Sequence, residues 1–240
     1  FRRMMGDDVI HICAADSHGT PIEVNAAKAG MAPEAFAEKF RAEHHLEFQR
    51  FEIDHAIYHT THSPENERWA TRIFGALNDR KLIYKKSVEQ LYCEKDARFL
   101  PDRYVRGACP RCGTVEQYGD VCEKCGNTYD PRELKDPRCV MCGNPPIVRA
   151  SEHYYVDLKP LEPQLRALVN GASHGRPHLE APVREQVLGW INDLKDWCIS
   201  RDPPYFGFNV PGDMTKFLYV WLDAPIGYIS STEAYLHAKY

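Results

Sequence analysis

The chain has 240 residues, 43% of them hydrophobic and 27% charged, with nine cysteines and a formal net charge of −4. That size and apolar content support a packed core without obligatory disulfide or metal staples. Mean hydropathy of −0.51 and a pI near 6.3 argue against a membrane-embedded chain and against nucleic-acid binding by bulk positive charge.

The longest apolar run, Phe217 to Leu222, is far too short to span a membrane. No secretory signal is read at the start, and a chain that opens at Phe1 almost directly in a strand-like run is expected to be a piece of something longer. Val9 to Ala15 is a β-favouring run ending at Asp16. In the next segment Thr20 suits a helix N-cap, Pro21 the first helical position and Glu23 a capping box, with Gly30 closing the helix. A second helix is predicted from about Pro33 to Phe48, with Phe36, Phe40 and His44 on one face. Phe51 to Tyr58 reads as a strand with Ile53 and Ile57 turned inward. Ser63-Pro64-Glu65 starts a further helix with Trp69, Ile73, Phe74 and Leu77 on its apolar face. This alternation predicts an α/β layer with parallel strands.

The texture changes after about Lys81. Leu100 to Arg149 is rich in Gly, Pro, Cys and charge, with short β-like pieces and no helical period. From Pro163 to Trp197 the pattern is again helical, in two helices separated by Gly171 to Pro182. Lys216 to Leu222 reads as a compact apolar strand stopped at Asp223-Ala224-Pro225. The expected division is an α/β part over 1–80, an insertion over 81–215, and a return strand and loop over 216–240.

Six cysteines form three CxxC pairs, Cys109/Cys112, Cys122/Cys125 and Cys139/Cys142, separated by nine and then thirteen residues and each followed by glycine. A tight CxxCG turn presents two thiolates, and two such knuckles close a tetrahedral site that selects Zn²⁺. Four sulfurs leave no open position for water, so the expected role is structural. Cys109, Cys112, Cys122 and Cys125 form the most local set, with about one zinc per chain expected. Cys139 and Cys142 are left open; His153 is a candidate to help complete a second site, or simply a surface histidine beside Tyr154. Clustered CxxC without a signal peptide points to a reducing compartment, the cytoplasm by default.

In open parallel sheets ligands bind beyond the carboxyl ends of strands. Asp16 stands where it can meet a ligand amine. Trp221 and Tyr228 can wall an apolar cavity suited to a thioether, with Ala224 and Pro225 as featureless backbone beside it. The plainer alternative makes the aromatics core residues and Asp16 a loop cap. His59 and His62 lack a third ligand nearby and read as loop or site-edge residues rather than metal ligands.

The segment Ile12-Cys13-Ala14-Ala15-Asp16-Ser17-His18-Gly19-Thr20-Pro21 resembles methionyl-tRNA synthetases. So do Leu100 to Val105 leading into CPRCG, Ile199 to Gly207, and Tyr219-Val220-Trp221-Leu222-Asp223-Ala224-Pro225-Ile226-Gly227-Tyr228. The resemblance covers nearly the whole chain. It implies a Rossmann-like class I synthetase catalytic domain, present in part and interrupted by a zinc-bearing connective-peptide insertion. It also implies a reaction in which methionine and ATP give methionyl-adenylate and then charge a tRNA, with Mg²⁺ accompanying ATP. Carried over by position, Trp221, Ala224, Pro225 and Tyr228 line the methionine side-chain pocket, Asp16 holds the α-amino group and Arg201 lies near the nucleotide. Neither a HIGH-type motif nor a KMSKS-type loop is present, so no catalytic residue is assigned and the fragment alone is expected to be inactive. The alternatives are a synthetase for leucine, isoleucine or valine, and a zinc-ribbon module that binds RNA without chemistry.

Overall fold

The computed structural model describes residues 1–171 and 179–240. Of the expected separator Gly171 to Pro182, residues 172–178 lie outside the described residues. The α/β part begins with β1 (Ile12–Ala15), paired in parallel with β2 (Ile57–Thr60) from Ile12 opposite Ile57 to Ala15 opposite Thr60. Helices α1 (Thr20–Ala29) and α2 (Pro33–Arg50) make the crossover between them, as parallel pairing requires. On α2, the Phe36 and Phe40 rings meet at a tilt with centroids 4.6 Å apart, in line with the predicted face. Helix α3 (Pro64–Asp79) starts as expected, with Ser63 Oγ accepting from the Asn66 N–H at 3.3 Å.

Two expectations in this part fail for local reasons. Helix α1 is preceded by Gly19, not capped by Thr20, and no capping box forms. Glu23 instead accepts from Tyr104 OH at 2.6 Å and Arg98 Nη1 at 3.3 Å. Those contacts tie α1 to the insertion, and a charged donor outcompetes the capping amide. The expected strand over 51–58 is mostly turn: Phe51 N–H closes onto Glu47 O, and Glu52 takes φ 56°. Ile53 is exposed, and only Ile57 and Tyr58 of that stretch pair.

The insertion is organised by a long antiparallel pair that the sequence pattern does not announce. Strand β3 (Ile83–Cys93) runs against β8 (Ile147–Val156) from Ile83 opposite Val156 to Tyr92 opposite Ile147. With β4 (Arg98–Phe99) and β9 (Trp197–Cys198) they form a sheet in the order β4-β3-β8-β9. A second small sheet, β6-β5-β7, is built from β5 (Val105–Ala108), β6 (Gln117–Tyr118) and β7 (Lys135–Cys139). Helices α4 (Glu162–Val169) and α5 (Ala181–Asn192) follow.

The last part also departs from expectation. Strand β12 (Asp213–Leu218) lies between β10 (Ser200–Arg201) and β11 (Asn209–Val210), antiparallel to both, and is not paired with β1 or β2. It ends at Leu218. Residues Val220–Asp223 form a helical turn, α6, whose first N–H is received by Tyr205 OH at 3.0 Å. The segment expected as loop is helix α7 (Gly227–Lys239), which buries Gly227, Ser230 and Ser231. Those small residues give no apolar period, which is why the helix is silent in the pattern.

One core joins these parts. Ala70 and Phe74 of α3 pack with Val156, Ile199, Phe208, Val210, Leu218, Leu222 and Ile226. A second cluster, including Leu91, Cys93, Leu100, Tyr104, Val105 and Cys139, lies within the insertion. Among the described residues no helix is long and apolar enough to cross a membrane.

Candidate functional site

The three CxxCG turns have one geometry. In each, the glycine N–H returns to the first cysteine's carbonyl: Gly113 to Cys109 at 3.0 Å, Gly126 to Cys122 at 2.8 Å, Gly143 to Cys139 at 2.8 Å. Their φ values of 73°, 68° and 75° are left-handed, which glycine adopts without strain. Cys109, Cys112, Cys122 and Cys125 converge, with Sγ–Sγ separations of 3.8 Å for Cys109–Cys125 and 3.6 Å for Cys112–Cys122. Thiolates about 2.3 Å from a tetrahedral zinc stand about 3.8 Å apart, so these four residues fit the ion.

Cys139 and Cys142 converge with Cys93 and Asp96, not with His153. Cys93 Sγ is 3.4 Å from Cys142 Sγ, and Asp96 Oδ2 is 3.3 Å from Cys93 Sγ and 3.1 Å from Cys139 Sγ. A carboxylate oxygen binds zinc more closely than sulfur does, which suits the short edges to Asp96. Cys93 to Ala97 is a fourth knuckle. Asp96 N–H points at Cys93 Sγ, and Ala97 takes φ 49° where the other turns carry glycine. Hydrogen bonds from the thiols of Cys142 and Cys139 hold the Asp96 carboxyl below its ordinary range. The spacing Cys93-x-x-Asp96 was the available signal, hidden because it is not CxxC. Among the described residues there are thus two four-ligand clusters that could hold a metal, where the sequence pattern offered one complete set.

His153 is buried at the junction of β8 and β10. Its Nδ1 is 2.9 Å from Ser200 Oγ and its Nε2 3.0 Å from Asp202 Oδ2. Asp202 also takes Ser151 Oγ and the Lys216 ammonium. Burial pushes the Asp202 carboxyl up, but His153, Lys216 and Ser151 outweigh it and hold it below the usual range.

The residues singled out at the two chain segments meet around one cavity of about 590 Å³. Asp16, Trp221, Ala224, Pro225 and Tyr228 all border it, with His11, Cys13, Thr61 and Ser231. The aromatics are not core residues: Trp221 is 69% and Tyr228 74% exposed. Asp16 comes from the loop after β1 and Trp221 from α6. Burial, then the nearby Asp223 carboxylate, raise the Asp16 carboxyl above its ordinary range, with His18 opposing. The buried Ser231 hydroxyl has no partner among the described residues.

A buried polar chain that sequence reasoning left aside runs behind this cavity. His18 Nδ1 donates to Asp223 Oδ2, and His18 Nε2 is 2.9 Å from His62 Nδ1. Burial, then His18, lower the His62 imidazole. His59 stands apart, its Nε2 3.6 Å from Glu65 Oε2, and neither histidine joins a metal-ligand cluster among the described residues.

Arg201 is not at the smaller cavity. It lines a larger cleft of about 1110 Å³ between the α/β part and the insertion, a cleft that Asp16 and Trp221 also border. Its guanidinium lies 3.6 Å from the Tyr219 ring centre and donates to Ser200 O at 2.8 Å. Asp16 and Trp221 are therefore shared by both spaces.

A parallel β–α unit with a cavity beside β1 is thus interrupted by an insertion that carries cysteine knuckles. The family model described as tRNA synthetases class I (M) matches residues 1–240, and the chain belongs to that family. The methionine–tRNA ligase of Myxococcus xanthus (strain DK1622) is 47% identical over 234 residues, 97% of this chain and 33% of that protein. The chain thus spans about a third of the length of this curated relative. The crystal structure of Mycobacterium tuberculosis methionyl-tRNA synthetase bound by methionyl-adenylate matches with TM-score 0.67 at 20% identity, over 96% of this chain and 41% of that one. The apo form of the same enzyme matches with TM-score 0.51 at 18% identity, over 82% of this chain and 34% of that one. At such identities the likeness concerns the fold.

Proposed function

We propose that this chain supplies the methionine-binding wall and the zinc-bearing connective insertion of a synthetase that activates methionine with ATP and transfers it to tRNA. The observation that carries the reading is a cavity bordered by a carboxylate, Asp16, together with Trp221 and Tyr228. Asp16 receives the α-ammonium of methionine as an ion pair in a site where water is partly excluded. Trp221 and Tyr228 cover the thioether, for which sulfur–aromatic contact is favourable, while Ala224 and Pro225 leave room and present no competing polar group. The carboxylate of methionine then points toward the larger cleft, where Arg201, over the Tyr219 ring, adds positive charge on the nucleotide side. Adenylation needs no side-chain nucleophile, only stabilised charge and fixed geometry. Cys109, Cys112, Cys122 and Cys125 hold one Zn²⁺, and Cys93, Asp96, Cys139 and Cys142 a second. Both sets of four ligands leave no open position, so the metal acts by tying knuckles together.

The division into 1–80, 81–215 and 216–240 is part of the same proposal, supported by the long β3–β8 pair at the root of the insertion. A cytoplasmic location fits thiolate clusters that need a reducing compartment.

The test uses the full-length protein and amino-acid-dependent ATP–pyrophosphate exchange. Methionine is expected to drive exchange far better than leucine, isoleucine or valine. Equal exchange with those amino acids, or RNA binding with no exchange, would overturn the reading in favour of its alternatives.

A further inference from the structure

The cavity's walls come from three separate stretches of chain, and one imidazole touches all three. His18 lies two residues beyond Asp16 in the loop between β1 and α1 and is buried. Its Nδ1 donates to Asp223, within the Trp221–Pro225 segment, and its Nε2 meets His62 of the loop after β2. The rings of Phe206 and Phe208 stand edge-on to it, with centroids 5.2 Å and 4.6 Å away, so the imidazole has little rotational freedom.

Asp223 makes the contact consequential. Its side chain is 1% exposed, and Oδ1 has no partner among the described residues, so His18 is the hydrogen-bond donor its carboxylate has. A buried carboxylate left without a donor is strongly unfavourable and drives rearrangement around it. The Asp223 main chain is itself fixed: its carbonyl accepts from Asn66 Nδ2 at 3.3 Å, and Asn66 Oδ1 accepts from Ser230 Oγ at 2.9 Å. The Asp16 loop has its own ties to the end of β2 and the Phe206 segment, Ser17 N–H donating to Thr61 Oγ1 at 2.9 Å and Gly19 N–H to Phe206 O at 2.9 Å; the His18–Asp223 bond is the side-chain link from this loop to the Trp221–Pro225 segment. Because the carboxylate must accept, the imidazole carries its proton on Nδ1.

We propose that His18 is a positioning residue for the amine end of the ligand site: by donating Nδ1–H to Asp223 it fixes the Asp16 loop against the Trp221–Pro225 wall. This rests on the methionine reading above.

The test measures calorimetric affinities of the full-length protein for methionine and for 4-(methylthio)butanoate, which keeps the thioether and carboxylate but lacks the amine. His18→Asn retains an N–H near the Nδ1 position, and His18→Gln retains one only near Nε2. The His18→Gln variant is expected to lower the preference for methionine over the amine-free ligand about tenfold, while His18→Asn keeps it within about twofold. An unchanged preference in His18→Gln, a loss in His18→Asn as large as in His18→Gln, or a parallel fall for both ligands would overturn the proposal. Should His18→Gln not fold, His18→Asn decides: a kept preference supports the role and a lost one overturns it. Failure of the methionine reading itself is separable, because it would appear in the unmodified protein as no preference for methionine over leucine.

Discussion

Replacing Trp221 with alanine separates ligand binding from folding, because the structure puts this side chain on the cavity rim and its neighbour in the core. Trp221 is 69% exposed, so about 170 Å² of a side chain of about 250 Å² faces solvent. A bound methionine side chain that covers about half of this removes about 85 Å² from water. At about 25 cal/mol per Å² that is about 2 kcal/mol, or roughly 30-fold in affinity. Stability should hardly move, since surface substitutions away from packed contacts stay within about 0.5 kcal/mol. Leu222, next in sequence, is 8% exposed and packed in the main core; Leu222→Ala should cost about 2–5 kcal/mol of stability. Isothermal titration with methionine and thermal melts of both variants of the full-length protein give the comparison. The reasoning is refuted if Trp221→Ala binds methionine as the unmodified protein does, or if its melting temperature falls as far as that of Leu222→Ala.

Elemental analysis of the full-length protein should find about two metal ions in this region per chain, falling to about one in Cys122→Ser. Asp96→Ala should release the second ion at lower chelator concentration than the first, as one of its four ligands is gone; release in the reverse order would contradict the cluster assignment. The lowered carboxyl of Asp202 means that its contacts with His153 and Lys216 stabilise the fold fully above the unfolded carboxylate range and are lost as pH falls through the folded value. Asp202→Asn should therefore flatten the acid limb of melting temperature against pH. Asp16 carries a raised carboxyl, so methionine affinity should begin to fall on acidification at higher pH than for an ordinary carboxylate, as titration calorimetry across pH can show. Finally, Gly107→Ala would bring a Cβ within 2.7 Å of Lys135 O across the β5–β7 pair, and thermal melts should register a loss of about 1–3 kcal/mol.

What the pattern of residues could reveal follows the range of the interactions involved. Local signals were sufficient for α3, with its Ser63 cap and apolar face, and for the CxxCG turns, whose geometry is contained within a few residues. The cavity residues were legible because Asp16 and Trp221 to Tyr228 stand in distinctive motifs, although only the fold brings them together. The long strand β3 was not, since Lys85 and Lys86 break the alternation and its partner lies far along the chain. Glu23 read as a cap because its true partners, Arg98 and Tyr104, come from the insertion. Helix α7 hides behind its buried serines, and Cys93 with Asp96 behind a carboxylate in a cysteine's position. His18 and Asp223 are far apart in sequence, and nothing in either segment alone announces that they form one buried pair.

The account's central claim is that the amine of methionine is held by Asp16 while its thioether lies against Trp221 and Tyr228. Asp16→Asn removes the charge with little change of shape, so titration of this variant of the full-length protein with methionine and with 4-(methylthio)butanoate tests it most directly. The predicted result is a loss of about tenfold or more for methionine and less than about twofold for the amine-free ligand, as expected when one member of a charge-assisted pair is neutralised. Equal losses for the two ligands, or none for methionine, would contradict it.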